Sequence, residues 1–159
     1  MKMEPSHSTV RRPALELRAY VDSDLDEYLR MSLLLFPDAK PLEHARELSA
    51  FRARPDTAVF VIVREDGRLA GFVEAGSRPY VDGCDSSPVG YIEAWFVDED
   101  VRLGGWGRAL LNAAEEWARS RGYSEMGSDA LLDNVVSHRA HVASGYDEVD
   151  RVVQFRKVL

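Results

Sequence analysis

The stretch Val89-Gly90-Tyr91-Ile92-Glu93-Ala94-Trp95-Phe96-Val97, followed after a short acidic link by Arg102-Leu103-Gly104-Gly105-Trp106-Gly107, decides the fold. The first run is apolar at almost every position, the composition of a strand buried on both faces. The second is a glycine-rich turn, and beyond it Trp106, Leu110, Ala113 or Ala114, and Trp117 share one face of an amphipathic helix that ends at Gly122. Strand, glycine turn and helix in this order bring backbone N–H groups to the positive end of a helix dipole, where a phosphate can be cradled. Side chains in the turn would obstruct that approach. The turn is no P-loop, which needs a Gly-Lys-Ser/Thr ending, and no dinucleotide fingerprint, since Leu110 stands where the third small residue belongs. What remains is Arg-x-x-Gly-x-Gly from Arg102 to Gly107.

Upstream, residues 1 to 12 read as an N-terminal arm and a single domain begins at residue 13. Leu15 to Ala19 alternates as a strand, and Asp22-Ser23-Asp24 offers N-cap chemistry for a helix carrying Leu25, Tyr28, Leu29, Ser32 and Leu33, ended by Phe36-Pro37. Pro41 opens a second helix to Ala53. Ala58 to Val63, the turn Asp66-Gly67 and Leu69 to Ser77 make a hairpin. Downstream, Glu125 to Leu131 is expected as a strand, Asp133 as the cap of a short helix to Ser144 with Gly145 at its C-terminus, and Val152 to Val158 as a last strand.

The chain has 159 residues, 45% apolar and 30% charged, enough for one core and unlike a disordered or fibrous chain. Twenty basic against 27 acidic side chains give a net charge of −7, which speaks against a nucleic-acid binder and for a cationic partner. No apolar run is long enough to span a bilayer and the first residues lack the apolar core of a signal peptide, so the expected location is cytoplasmic with no membrane partner. One cysteine, Cys84, and four histidines leave a metal site poorly supplied.

With its neighbours, the Arg102–Gly107 turn resembles the acyl-CoA loop of the GNAT acetyltransferase superfamily, a likeness that covers about residues 14 to 158. Tyr80-Val81-Asp82-Gly83-Cys84-Asp85-Ser86-Ser87-Pro88, Glu93, Phe96-Val97 and Glu125-Met126-Gly127-Ser128-Asp129 are similar to the aminoglycoside 6′-N-acetyltransferases. The resemblance implies an α/β fold: one domain with a mixed, twisted sheet, helices on both faces, and a cleft for acetyl-CoA where parallel strands splay near Glu93 to Val97. It implies transfer of an acetyl group from acetyl-CoA, without a metal, to the 6′-amine of an aminoglycoside, and a homodimer. Carried over by position, Trp95, Phe96 and Val97 would offer main-chain groups to the pantetheine and acetyl carbonyl. Leu103, Gly104, Gly105, Trp106, Gly107 and Arg108 would cradle the pyrophosphate, and Asn134 would contact the cofactor arm. Phe36, Tyr80, Glu93, Asp129 and Asp150 would meet the aminoglycoside. Three departures bear on drug preference: Phe36 replaces an indole, Asp150 is one methylene shorter than a glutamate, and Ala39 replaces a polar contact.

Read from the residues alone, strand alternation puts Glu93 on one face with Tyr91 and Trp95. A desolvated carboxylate there is either a base for an ammonium or a group satisfied by a salt bridge. Asp129 joins it as a catalytic candidate, as an acid placed within a strand beside the cleft. The resemblance implies that His141, four residues before Gly145, is an acid for the leaving thiolate; read from the residues, it and His138 are equally surface histidines. Cys84 reads as a loop thiol rather than an acetyl carrier. Arg108, Arg119 and Arg121 either reach cofactor phosphates or form helix pairs such as Glu115 with Arg119.

Overall fold

The computed structural model describes residues 14–159, so the arm expected over residues 1 to 12 lies outside the described residues. Five strands form one sheet in sequence order: β1 Leu15–Ala19, β2 Ala58–Arg64, β3 Leu69–Arg78, β4 Val89–Val97 and β5 Met126–Ser128. The first four pair antiparallel and β5 joins β4 in parallel, which makes the sheet mixed, as expected. Helices α1 (Leu25–Leu35) and α2 (Pro41–Arg52) cover one face, α3 (Trp106–Ser120) covers the other, and α4 (Val135–Ala143) follows β5.

The period of the sequence explains the two layers. In α1, Tyr28 and Met31 point inward and bury with Leu48 of α2 against Val59, Val61, Leu69, Phe72 and Ala94. On the opposite face Leu110, Leu111 and Ala114 of α3 bury against Ile62, Ala70, Val73, Ala75 and Ile92. Trp106 and Trp117 pack beside this second cluster, the core role that their place on the apolar stripe predicted. The strand run Leu69 to Ala75 is buried at every position because helices lie on both sides of it.

Two features of β4 shape the cleft. Glu74 pairs with Ala94 while Ala75 pairs with Ile92, so Glu93 is the extra residue of a β-bulge. The bulge breaks the alternation. Ala94 and Phe96 pack on the α1/α2 face, and Trp95 and Val97 pack on the α3 face. The second feature is the short pairing with β5, which runs only from Gly90–Met126 to Ile92–Ser128. From Glu93 onward β4 parts from β5, the splay that was expected.

Several expectations need correction. Glu93 does not share a face with both Tyr91 and Trp95, since the bulge sends the indole to the other side of the sheet. The strand expected over Glu125 to Leu131 shrinks to Met126–Ser128 because β4 offers it only three partners. Asn134 rather than Asp133 caps α4, with Oδ1 accepting from the Ser137 amide at 3.1 Å. Asp22 to Asp24 form a 3₁₀ turn ahead of α1; Asp24 is buried there, accepting from the Val21 amide and from Arg18. Val152 to Val158 form no strand and lie exposed. Gly145 takes φ 91° after α4, as its cap role required.

Candidate active site

The bulge aims the Glu93 carboxylate toward α2, where a Cβ on Gly76 would stand 3.3 Å from its Oε1 and 3.7 Å from the Phe51 ring. Arg78, at the end of β3, holds both oxygens of Glu93, Nε at 3.1 Å and Nη2 at 2.6 Å. The same guanidinium lies over the Tyr91 ring, 3.5 Å from its centroid. The Tyr91 hydroxyl in turn donates to Asp129 Oδ1 at 2.6 Å, and burial together with this carboxylate pushes the phenol well above its ordinary pKa. Asp129, Tyr91, Arg78 and Glu93 thus form one polar chain across the splayed end of the sheet. Asp129 stands just past β5 and is exposed, not set within a strand as expected. Arg78 carries no motif; the only signal of it was a cation at the end of the strand antiparallel to the one holding Glu93.

Beside Glu93 opens a pocket of about 520 Å³ walled by Phe36, Ala39, His44, Glu47, Phe51, Arg54 and Glu74 among others. Phe36, at the end of α1, stacks edge-on against His44 with centroids 5.8 Å apart. His44 Nε2 meets Ser32 Oγ at 2.7 Å and its Nδ1 meets Glu47 at 3.2 Å. Aromatic walls and three carboxylates suit a cationic ligand. Glu74 was missed by sequence reasoning, although an acid inside an otherwise apolar buried strand is a signal in itself.

On the other side of the splay, none of the backbone amides from Leu103 to Arg108 has an acceptor among the described residues; Ala109, which donates to Gly105 O at 3.0 Å, is the first that does. Leu103 and Gly105 hold φ 61° and 84°, the left-handed geometry that turns consecutive N–H groups the same way. A Cβ on Gly107 would approach Trp95 Cζ2 to 3.0 Å, so glycine is needed there for the turn to pack on the indole. The Trp95 Nε1 donor is buried without a partner. Free amides at a helix start and an orphaned indole N–H fit a phosphate-bearing thioester inserted between β4 and β5. Trp95 also meets His141 edge-on, centroids 5.3 Å apart.

One observation decides the matter: the model of the acetyltransferase (GNAT) family matches residues 25–146. The chain belongs to that family. It is 42% identical over 147 residues to an aminoglycoside N(6′)-acetyltransferase type 1 of Klebsiella aerogenes, covering 90% of this chain and 96% of that one. A second, from Stenotrophomonas maltophilia, is 41% identical and covers 90% and 93%. Among solved structures, AAC(6′)-Iy in complex with a bisubstrate analogue, CoA-S-monomethyl-acetylneamine, matches with a TM-score of 0.85 at 31% identity over 92% of this chain and 99% of that one. AAC(6′)-Ih from Acinetobacter baumannii also matches with a TM-score of 0.85 at 31% identity, with the same coverage.

Within this acetyltransferase the expected residues do not all converge on one place. Phe36 and Glu93 meet in the acid-walled pocket, and Trp95 through Val97, the turn from Leu103 to Arg108 and His141 line the splay. Tyr80 stands on the loop after β3, exposed, its hydroxyl donating to Asp82 at 2.7 Å. Asp150 lies on the exposed C-terminal segment, which with Asp129 and His141 lines a broad depression of about 1100 Å³, away from Glu93. Asn134 is exposed and spends its side-chain oxygen on the cap of α4. Arg119 pairs with Glu115 and Glu116, and Arg121 donates to Pro55 O at 2.9 Å. Both sit at the end of α3 roughly 20 Å from the turn, a reach that separates them from the phosphate cradle. Cys84 is a half-buried loop thiol whose pKa is raised by burial and by Glu125 and Asp85.

Proposed function

We propose that the chain is an aminoglycoside 6′-N-acetyltransferase that uses acetyl-CoA and confers resistance. The observation that carries this reading is the convergence, at one β-bulge, of a free-amide turn on one side and an acid-walled pocket on the other. Relatives at about 40% identity over nearly the whole chain support it. The turn from Leu103 to Arg108 binds the pyrophosphate through its backbone, Arg108 adds charge, and Asn134 uses its remaining side-chain N–H groups on the cofactor arm. Main-chain groups of Trp95, Phe96 and Val97, freed by the splay, align the pantetheine and polarise the acetyl carbonyl.

The acceptor ammonium enters beside Phe36 and Tyr80 and takes the place of the Arg78 guanidinium on Glu93. Asp129 and Asp150 hold other ammonium groups. The amine then attacks the thioester directly in a ternary complex. His141 donates Nδ1–H to Ser137 O at 2.8 Å, so in the neutral ring Nε2 accepts from Ser128 Oγ at 2.8 Å. Its role as thiol acid requires a second proton on Nε2, delivered by way of Ser128. A homodimer is part of the proposal, supported by the exposed apolar side chains of the C-terminal segment, and so is a cytoplasmic location, where acetyl-CoA is made. No helix among the described residues is long and apolar enough to cross a membrane.

The test is thiol release from acetyl-CoA with kanamycin, with spermidine and with no acceptor. Release with kanamycin alone, and NMR placing the acetyl group on the 6′-nitrogen, is the expected result. Faster release with spermidine moves the substrate class to other polyamines, and no release with either overturns the reading.

A further inference from the structure

Glu74 is a buried carboxyl of β3 on the α1/α2 face, and the chemistry above leaves it unused. Its Oε1 accepts the Tyr28 hydroxyl at 2.5 Å, and it forms part of the wall of the pocket that holds Glu93. The Cα pairing of Glu74 with Ala94 puts it directly across the sheet from the bulge. Tyr28 is fully buried, so this hydrogen bond fixes the carboxyl from beneath while its open side meets the pocket.

We propose that Glu74 is the group that takes the proton shed by the acceptor ammonium, a deepening that rests on the acetyltransferase reading above. Glu93 is poorly suited to keep that proton, because Arg78 returns to both of its oxygens once the ammonium is gone. Among the described residues Glu74 has no cation paired with it. Burial, its dominant influence, raises its proton affinity, and the Glu93 charge adds to this; the Tyr28 hydrogen bond and His44 oppose them. The charged or titratable groups that face it are Tyr28 from α1, His44 and Glu47 from α2, Arg54 beyond α2, and Glu93 from β4. Arg54 is held by Asp56 at 2.9 Å.

The ammonium gives one proton to the Glu74 carboxylate, and the freed nitrogen lone pair forms the C–N bond to the thioester carbon. The C–S bond breaks with its electron pair on sulfur, and the second proton lost from nitrogen ends on that thiolate. One ammonium, one thioester and one carboxylate become an amide, a thiol and a carboxylic acid, which returns its proton to water through the open pocket.

Glu74→Gln retains an oxygen for Tyr28 and removes the proton acceptor, and Tyr28→Phe retains the acceptor and removes its hydrogen bond. With kanamycin, Glu74→Gln is expected to lose about 100-fold in kcat and the acidic limb of the pH profile, with the acetyl-CoA KM unchanged. Tyr28→Phe is expected to move that limb to higher pH, a shift a merely structural role would not produce. Difference infrared spectroscopy of the free enzyme, titrated from about pH 5 to about pH 9, is expected to show a carboxylic C=O band that is absent in Glu74→Gln. Folding is checked by melting temperature. A Glu74→Gln enzyme with an unchanged kcat and acidic limb overturns the proposal, as does a wild-type spectrum without the band. If the wild type turns over no aminoglycoside, the functional reading fails by itself while the infrared band still decides whether Glu74 titrates in the working range.

Discussion

Glu93 shows what one residue's placement can decide. Its carboxylate lies 2.6 Å from Arg78 Nη2, and in the proposed reaction the incoming ammonium exchanges with that guanidinium. Replacing Glu93 by Gln frees Arg78, leaves a cation in the acceptor path and removes the charge that draws the ammonium in. The expected outcome is a loss of about 2 to 4 kcal/mol in kcat/KM for aminoglycosides, read from steady-state rates, with the acetyl-CoA KM little changed. Glu93 was legible as a candidate because it lies in a strand that leads into a glycine-rich turn. Its partners were not. Arg78 is 15 residues away in sequence and meets it only through the antiparallel register, and the bulge that aims it has no glycine or other mark in the Ile92-Glu93-Ala94 segment. Glu74 and Tyr28 are 46 residues apart, a pairing that only the packing of α1 on β3 creates.

At the scale of elements, the turn from Arg102 to Gly107 was read from local sequence because its glycines answer a local demand. Gly105 has φ 84° and open space around its absent Cβ, so a substitution there meets no neighbour and is felt through the backbone. Gly105→Val forces a β-branched residue into the left-handed region, at a cost of about 1 to 3 kcal/mol that the turn escapes by rotating its amides away. The acetyl-CoA KM is expected to rise at least tenfold by the usual size of such a loss, while the melting temperature moves only slightly. The corner between β1 and α1 carries a second prediction. Asp24 accepts from Arg18 Nη1 at 2.7 Å, Arg18 Nη2 at 2.9 Å and the Val21 amide at 2.9 Å, and these hold its pKa below the ordinary carboxylate value. A lowered folded pKa stabilises the protein above the unfolded value of about 4, and the contribution is lost as pH falls through the lowered value. Asp24→Asn is expected to cost about 2 kcal/mol at neutral pH, and denaturant titrations should show the gap to wild type closing below about pH 4.

Across the whole molecule, what eluded the sequence is what depends on a partner. Val152, Val153, Phe155 and Val158 have the β-branched and aromatic character of a strand, and a strand exists only where another strand takes its hydrogen bonds. Among the described residues they find none: Phe155 is 93% exposed and Leu159 fully so. Leu131, Leu132, Val135, Val136 and Val142 are exposed as well, on the adjoining connection and α4. A lone soluble chain seldom leaves so much apolar surface open, and the edge of β5 has unpaired backbone groups beside it. Light scattering of the purified protein is therefore expected to give twice the monomer mass of 17.9 kDa. Deleting residues 152–159 should convert it to a monomer with unchanged helix and strand content by circular dichroism, because neither core cluster uses those residues. Aminoglycoside kcat/KM should fall in the same variant, since Asp150 would lose the segment that places it over the depression beside Asp129. A shortened chain that remains dimeric would show that the C-terminal segment does not form the interface, and would leave the exposed face of α4 and the β5 edge to provide it.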